Sequence, residues 1–282
     1  MNTRGIFVVG FITAACVGVL GAPVAAWITG AWVSWGGTTL AAGVPALFFG
    51  VLMSQRMART SSAMPALVGL SWVGVAISAV GLGLGEAGLW ALLASVLIGG
   101  VGFPAYVFWY SKLPIPQTQP FEVGEKLPDF VLYGVDGAAV STADLSGAPA
   151  LLMFFRGNWC PLCMAQIREV ASAYQQFADK GVQVALISGQ SEEATRSLAE
   201  RFEVPFLHLI DRDYGVAKQL GLFHEGAVPP GAQLTLGATS GDAWLPIVVV
   251  TDGAGVVRYH AQTDNYRVRP DPRDFLGMFE AL

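Results

Sequence analysis

Between Gly5 and Tyr110 the chain carries only three charged side chains, Arg56, Arg59 and Glu86. A water-soluble fold of that length would need far more charge to cover its surface. Four apolar stretches lie in this region, at residues 6–28, 35–53, 64–84 and 87–110. Each reaches the roughly 20 residues that a helix needs to cross the hydrocarbon core of a bilayer. Reading the first as a secretory signal is weak, because the run is long, only Arg4 precedes it, and three more follow. Pro23 and Pro104 fall inside spans, which membrane helices tolerate when neighbours satisfy the freed carbonyls.

The positive charges give an orientation. Arg4 precedes the first span, Arg56 and Arg59 sit between the second and third, and Lys112 follows the fourth. The opposite side has Glu86 and no Lys or Arg, so both termini are expected in the cytoplasm, with the spans in a bacterial-type inner membrane. Trp27, Trp32 and Trp35 gather at the outer ends, Trp109 and Tyr110 at an inner end, as aromatic belts do. The region has no His for bis-histidine haem and no mid-span charge for an ion relay. Cys16 is expected to be a small packing residue rather than a reacting thiol. Gly81 and Gly85 are spaced for close helix contact. Residues 1–112 thus read as an anchor of about four helices, with dimerisation as a further use.

Residues 1–112 carry four positive charges and one negative, so +3; the remainder carries twelve against twenty, so −8. An acidic second half without a basic run argues against nucleic acid as a partner. A linker is expected at 113–121, where Pro114, Pro116 and Pro120 favour an extended, semi-rigid spacer off the bilayer. Residues 122–282 are one domain's worth.

In that domain strand and helix alternate. Strands are predicted at 130–133, 150–155, 182–188 and 206–210, and 246–251 with 256–260 form a hairpin around Asp252-Gly253-Ala254-Gly255. Asp136-Gly137 supplies a turn. Helices are predicted after Cys163, where Ile167, Val170, Tyr174 and Phe177 recur at helical spacing up to Gly181, then at 192–202, 216–220 and 274–282. The pattern implies a layered α/β domain.

Cys160-Pro161-Leu162-Cys163 carries the chemistry. It follows the apolar strand and a short loop, Arg156-Gly157-Asn158-Trp159, and opens a helix. Unpaired N–H groups at a helix start stabilise a thiolate, the reactive form, and Arg156 can add positive charge. Cys163, three residues on, allows a disulfide to close locally, as a dithiol/disulfide cycle requires. Zinc would need about four ligands; the chain has three cysteines, one in the membrane region, and His208, His224 and His260 are scattered and read as structural. A purely structural bridge over so short a loop removes little chain entropy. No metal or cofactor is expected.

The domain resembles the alkyl hydroperoxide reductase/thiol-specific antioxidant family, the peroxiredoxin-like branch of the thioredoxin fold. The resemblance is carried by Leu127-Pro128-Asp129-Phe130, Asp136-Gly137, Asp144-Leu145, Phe154 through Cys163, Pro205-Phe206, Asp211 through Leu220, Pro246, and Tyr266 through Pro270. It implies a thioredoxin-like fold, a dithiol enzyme, and Pro246 as a cis-proline beside the site. Such peroxidases carry Thr or Ser three residues before the attacking cysteine. Here Gly157 stands three before Cys160, and Cys160 three before Cys163. Thioredoxins place a buried acid six residues before the first cysteine, where this chain has Phe154. Overlaying Thr-x-x-Cys on Cys-x-x-Cys would put the attack on Cys163. The loop position and expected exposure favour Cys160, with Cys163 resolving the product. Arg156 is a candidate thiolate stabiliser, Trp159 a lid or a packing aromatic, and Arg267 and Arg269 are expected at the surface near the entrance.

The expected function is a membrane-anchored, thiol-dependent peroxidase, its disulfide reduced by a thioredoxin-like protein or a small thiol. The alternatives are a thioredoxin-like disulfide reductase or oxidase for a membrane-associated partner, and a non-enzymatic redox sensor.

Overall fold

The computed structural model describes residues 3–115, 119–232 and 236–280. The chain divides into two units, Met1–Lys112 and Leu113–Leu282.

The first unit holds four helices long and apolar enough to cross a membrane: α1 (Thr3–Thr29), α2 (Trp32–Met53), α3 (Pro65–Gly83) and α4 (Leu89–Tyr110). Helix α4 contains two π-helical stretches, Val96–Gly102 and Tyr106–Tyr110, on either side of Pro104. A proline has no N–H for the helical ladder, and the wider turns take up the resulting irregularity. Helix α2 is the central packing element. Its small residues let α3 approach at backbone distance: a Cβ on Gly74 would lie 2.5 Å from the Ala41 N and 2.7 Å from the Gly37 O. Hydroxyls bridge the helices there. Ser78 Oγ donates to the Ser34 O at 2.7 Å, Ser71 Oγ to the Ala41 O at 2.9 Å, and Thr38 Oγ1 to the Ala91 O at 2.8 Å. In lipid such packing and interhelical hydrogen bonding, rather than the hydrophobic effect, associate helices.

Two expectations for this unit change. Cys16 is exposed on α1 rather than packed inside, because the helix turns Ala15, not its neighbour, into the bundle. Gly81 does make a close contact, with Ser34, but Gly85 contacts nothing nearby and instead turns the chain after α3 at φ +88°. Glu86 follows that turn and accepts hydrogen bonds from the Ser34 N at 2.7 Å and the Val33 N at 3.0 Å, capping the start of α2. The first of these bonds holds its carboxyl below the usual range.

The glycine contacts give a sharp contrast. Gly74→Leu overpacks the α2–α3 seam, at a cost of about 1–3 kcal/mol or more, whereas Gly69, with nothing within 4 Å, tolerates Leu. Thermal melts of the full chain in detergent should show a clear drop for Gly74→Leu only; equal melting of the two variants would refute the seam.

The second unit is built on a seven-stranded sheet. Its strands are β1 (Val131–Gly134), β2 (Ala139–Ser141), β3 (Ala150–Phe154), β4 (Gln183–Ser188), β5 (Leu207–Ile210), β8 (Ile247–Thr251) and β9 (Val257–Ala261), in the order β2-β1-β5-β4-β3-β8-β9. A separate pair, β6 (Phe223–His224) and β7 (Ala243–Trp244), closes an excursion between β5 and β8. Strands β3, β4 and β5 are parallel, and the other pairings are antiparallel. The helices are α5 (Pro161–Ser172), α6 (Tyr174–Ala178), α7 (Glu192–Phe202), α8 (Gly215–Gln219) and α9 (Pro272–Leu276). All five residues of β3 are buried, so this apolar strand forms the middle of the core, and its C-terminal end opens where parallel α/β sheets place their sites.

The predicted helix running to Gly181 is two helices. The chain turns at Ala173, and Ile167, Val170 and Phe177 stay buried on both sides of the break. Strands β2, β6 and β7, only two or three residues each, are too short for an alternation pattern to register. The expected spacer at 113–121 is tied down at its start, where the Leu113 N donates to the Asp264 O at 2.7 Å. Its middle, 116–118, lies outside the described residues, as do the last two positions of the predicted C-terminal helix.

Candidate active site

Strand β3 hands the chain to the cysteine loop. The Phe155 N–H still pairs with β4 through the Ile187 O, and Gly157 then turns at φ +140°. Only glycine fits that conformation comfortably, and a Cβ there would meet Trp159 Nε1 at 2.7 Å. Cys160 follows as the N-cap of α5 in an extended conformation, with Pro161 pre-set for the first helical position. Cys163 lies in the first turn. Both cysteines are free thiols, and each is only 1% exposed. The expectation that Cys160 is the exposed one of the pair is therefore wrong: the loop turns both sulfurs inward.

A guanidinium faces the pair. Arg269 Nη2 lies 3.4 Å from Cys163 Sγ and 3.9 Å from Cys160 Sγ. Its Nη1 donates to Gln166 Oε1 at 3.1 Å and its Nε to the Tyr266 O at 3.0 Å, which fixes the fork. Arg267 and Arg269 were expected at the surface, yet they are 0% and 7% exposed. A buried guanidinium needs partners, and for Arg269 those partners are the thiols and Gln166.

The two thiols titrate apart. Burial pushes the Cys160 thiol up, and its hydrogen bond to Cys163 and the charge on that neighbour push it further; Arg269 and Arg156 offset part of this. Burial opposes ionisation of Cys163 as well. There the hydrogen bond from Cys160, the Arg269 charge, the Arg156 backbone N–H and the Arg156 charge outweigh it, and the thiol falls to about 5. The closer guanidinium favours the negative charge on Cys163, with Cys160 as the thiol that donates to it. A group with a depressed pKa is ionised above that value, so the Cys163 oxidation rate should be flat above about pH 6 and fall as pH drops through about 5. Stopped-flow oxidation across pH 4–9 checks this; an inflection near the ordinary thiol value would refute it.

Arg156 is not a solvated loop charge. Its Nη2 donates to the Ala227 O at 2.8 Å, and its guanidinium stacks 4.7 Å from the Trp159 ring and 5.3 Å from the Tyr266 ring. Trp159 in turn packs against Val228, Ala232 and Ala238 of the excursion. Pro246 is brought beside the site, lining a small cavity with Gln166 and Arg269. Its preceding peptide is trans rather than cis, since the described backbone has no cis bond. Phe154, at the position of the thioredoxin acid, sits 5.3 Å from the Phe121 ring and 4.7 Å from the Trp244 ring, and these aromatics fill the space a carboxyl would need. His208 is buried, and desolvation lowers its pKa. Among the described residues no cluster of three His, Cys, Asp or Glu could hold a metal.

Sequence reasoning missed Gln166 and misplaced Arg269. Arg269 lay within the Tyr266–Pro270 segment that carried the family resemblance, but charge alone argued for the surface. Gln166 is three residues after Cys163 and so shares its helix face, a signal that was available.

Residues 123–260 match the model of the AhpC/TSA family. The chain is 33% identical over 101 residues to a putative peroxiredoxin bcp of Coxiella burnetii, covering 36% of this chain and 67% of that protein. It is 26% identical over 132 residues to the thiol-disulfide oxidoreductase ResA of Bacillus cereus, covering 46% of this chain and 73% of that protein. Among solved structures, peroxidoxin BcpB from Mycobacterium tuberculosis aligns at 18% identity with a TM-score of 0.46, covering 57% of this chain and 98% of that one.

Proposed function

We propose that this chain, which belongs to the AhpC/TSA family of peroxiredoxin-like thiol oxidoreductases, is a membrane-anchored peroxidase in which Cys163 attacks and Cys160 resolves. The observation that carries this reading is a cysteine sulfur enclosed in protein and faced by a guanidinium at 3.4 Å. A peroxide is small enough to enter such a site, and the Arg269 fork can hold the oxygen that leaves. A protein disulfide, like a protein reductant, reaches these sulfurs only once the loop opens, since each is 1% exposed.

In the first step the Cys163 thiolate attacks one peroxide oxygen and the O–O bond breaks. Cys163 becomes a sulfenic acid, and the second oxygen departs with a proton as water or an alcohol. The Cys160 thiol then attacks the sulfenic sulfur, forming the disulfide and releasing water. Two equivalents of an external thiol, a thioredoxin-like protein or a small molecule, restore the dithiol and leave as a disulfide. Arg156 adds positive charge and ties Trp159 to the excursion, and Pro246 forms part of the wall near Arg269.

The second reading, exchange with a protein disulfide, is favoured by the Trp-Cys-x-x-Cys spacing and by the similarity to ResA. Turnover of the full chain in detergent or nanodiscs, with hydrogen peroxide and with a disulfide-bonded protein as rival substrates, separates the two. Consumption of the disulfide substrate alone would sink the peroxidase. The four apolar helices support anchoring, and the one-sided Lys and Arg support a cytoplasmic redox domain. A reporter fused after Leu282 that works only outside the cytoplasm would reverse that orientation.

A further inference from the structure

The loop that carries Cys160 is held from outside itself. The Asn158 N–H donates to Gln190 Oε1 at 2.9 Å, and Asn158 Nδ2 donates to the Ala194 O at 2.7 Å. Both acceptors belong to the junction where β4 ends and α7 begins. That junction is fixed in turn: Ser191 Oγ caps α7 by accepting the Ala194 N–H at 3.2 Å, and the Ser191 N donates to Thr239 Oγ1 at 3.2 Å.

Gln190 is an unexpected residue for the place it occupies. It is 5% exposed, and its Nε2 is buried with no hydrogen-bond partner. An unmet buried donor destabilises the fold, a cost that an aliphatic side chain of the same size would not carry. What the amide provides is its oxygen, which meets a main-chain N–H two residues before Cys160. Gln190 touches neither thiol nor Arg269 by any hydrogen bond described. It therefore reaches the site through the loop alone, whereas Cys163 is held by α5 and faced by Arg269, neither of which belongs to that loop.

We infer that Gln190 is a positioning residue for the resolving step: it holds the Asn158 N–H so that Cys160 stays within reach of oxidised Cys163. The inference rests on the proposed order of attack. Disulfide closure is an intramolecular reaction whose rate depends on how often the two sulfurs meet in line, and small misplacements cost such steps heavily. Freeing the loop would dilute Cys160 at Cys163, while Cys163 keeps its place on α5 and its contact with Arg269, so the first oxidation changes much less than closure.

The test compares full-length wild type, Gln190→Met and Gln190→Glu in detergent. Met keeps the volume and removes the acceptor, while Glu keeps an oxygen for the same N–H. After rapid mixing with hydrogen peroxide, dimedone traps the sulfenic acid, and alkylation with mass spectrometry counts the disulfide. Gln190→Met is expected to oxidise Cys163 within twofold of wild type but to close the disulfide about tenfold more slowly, so that sulfenic acid accumulates. Gln190→Glu is expected to restore closure. Closure at the wild-type rate in Gln190→Met, equal slowing of both steps, or no rescue by Glu would each overturn the inference. Diamide runs in parallel, since its adduct on one thiol is displaced by the other to give the same disulfide. A wild type inert to peroxide but closed by diamide would fail the peroxidase reading, and Gln190 would still be judged on closure with diamide.

Discussion

Arg269→Ala lowers the rate of Cys163 oxidation at pH 7 by roughly ten- to thirtyfold and moves the inflection of its pH profile upward from about 5. The guanidinium lies 3.4 Å from the sulfur and supplies its nearest full charge. Without it, burial is opposed only by the Cys160 hydrogen bond and Arg156, and a thiol moved back toward its ordinary pKa of about 8.5 leaves only a few molecules in a hundred ionised at neutral pH. Arg269→Lys recovers part of the rate, because an ammonium restores charge but not the fork that also binds Gln166 and the Tyr266 carbonyl. Arg273→Ala is the control: that side chain is 87% exposed and pairs with Asp271. A wild-type profile for Arg269→Ala would remove the arginine from the chemistry. Deleting one member of a buried charge pair also costs about 3–5 kcal/mol, so the variant's melts are compared in the oxidised form, where no thiolate remains to be stranded.

The cysteine variants give the other large effect, and they decide the order of the two steps. Cys163→Ser is expected to lose peroxide consumption to background, since an alcohol is not ionised in that environment. Cys160→Ser is expected to oxidise once, at close to the normal rate, and to stop with dimedone-reactive sulfenic acid on Cys163. The reverse pattern would return the attacking role to Cys160.

That order shows where sequence reading stops. The four long apolar helices were legible because hydrophobicity over about 20 residues is a collective property that few alternatives satisfy. Strands β3, β4 and β8 were legible for the same reason, as unbroken apolar runs destined for burial on both faces. The Cys160–Cys163 spacing and its place at a helix start were also readable. Which sulfur carries charge was not, because the answer depends on a residue 106 positions away in the chain. An arginine near a C-terminus resembles any solvated charge until the fold buries it. Gln190 was invisible in the same way, since it reaches the loop across 32 residues of sequence. Pro246 carried the opposite lesson: the family pattern placed it correctly beside the site, while the isomer inferred from that pattern did not hold.

The close approach of Arg269 to Cys163 also sets a reduction potential. Closing a bridge between residues three apart constrains almost no chain entropy, so the fold itself contributes little to the balance between disulfide and dithiol. The difference between the two states lies in the thiolate that exists only in the reduced one. Every 1.4 kcal/mol by which Arg269 stabilises that anion raises the two-electron potential by about 30 mV. The same contact that readies Cys163 for oxidation thus makes the resulting disulfide a stronger electron acceptor, easily reset by a thiol donor, and ties the speed of the first half of the cycle to the driving force of the second.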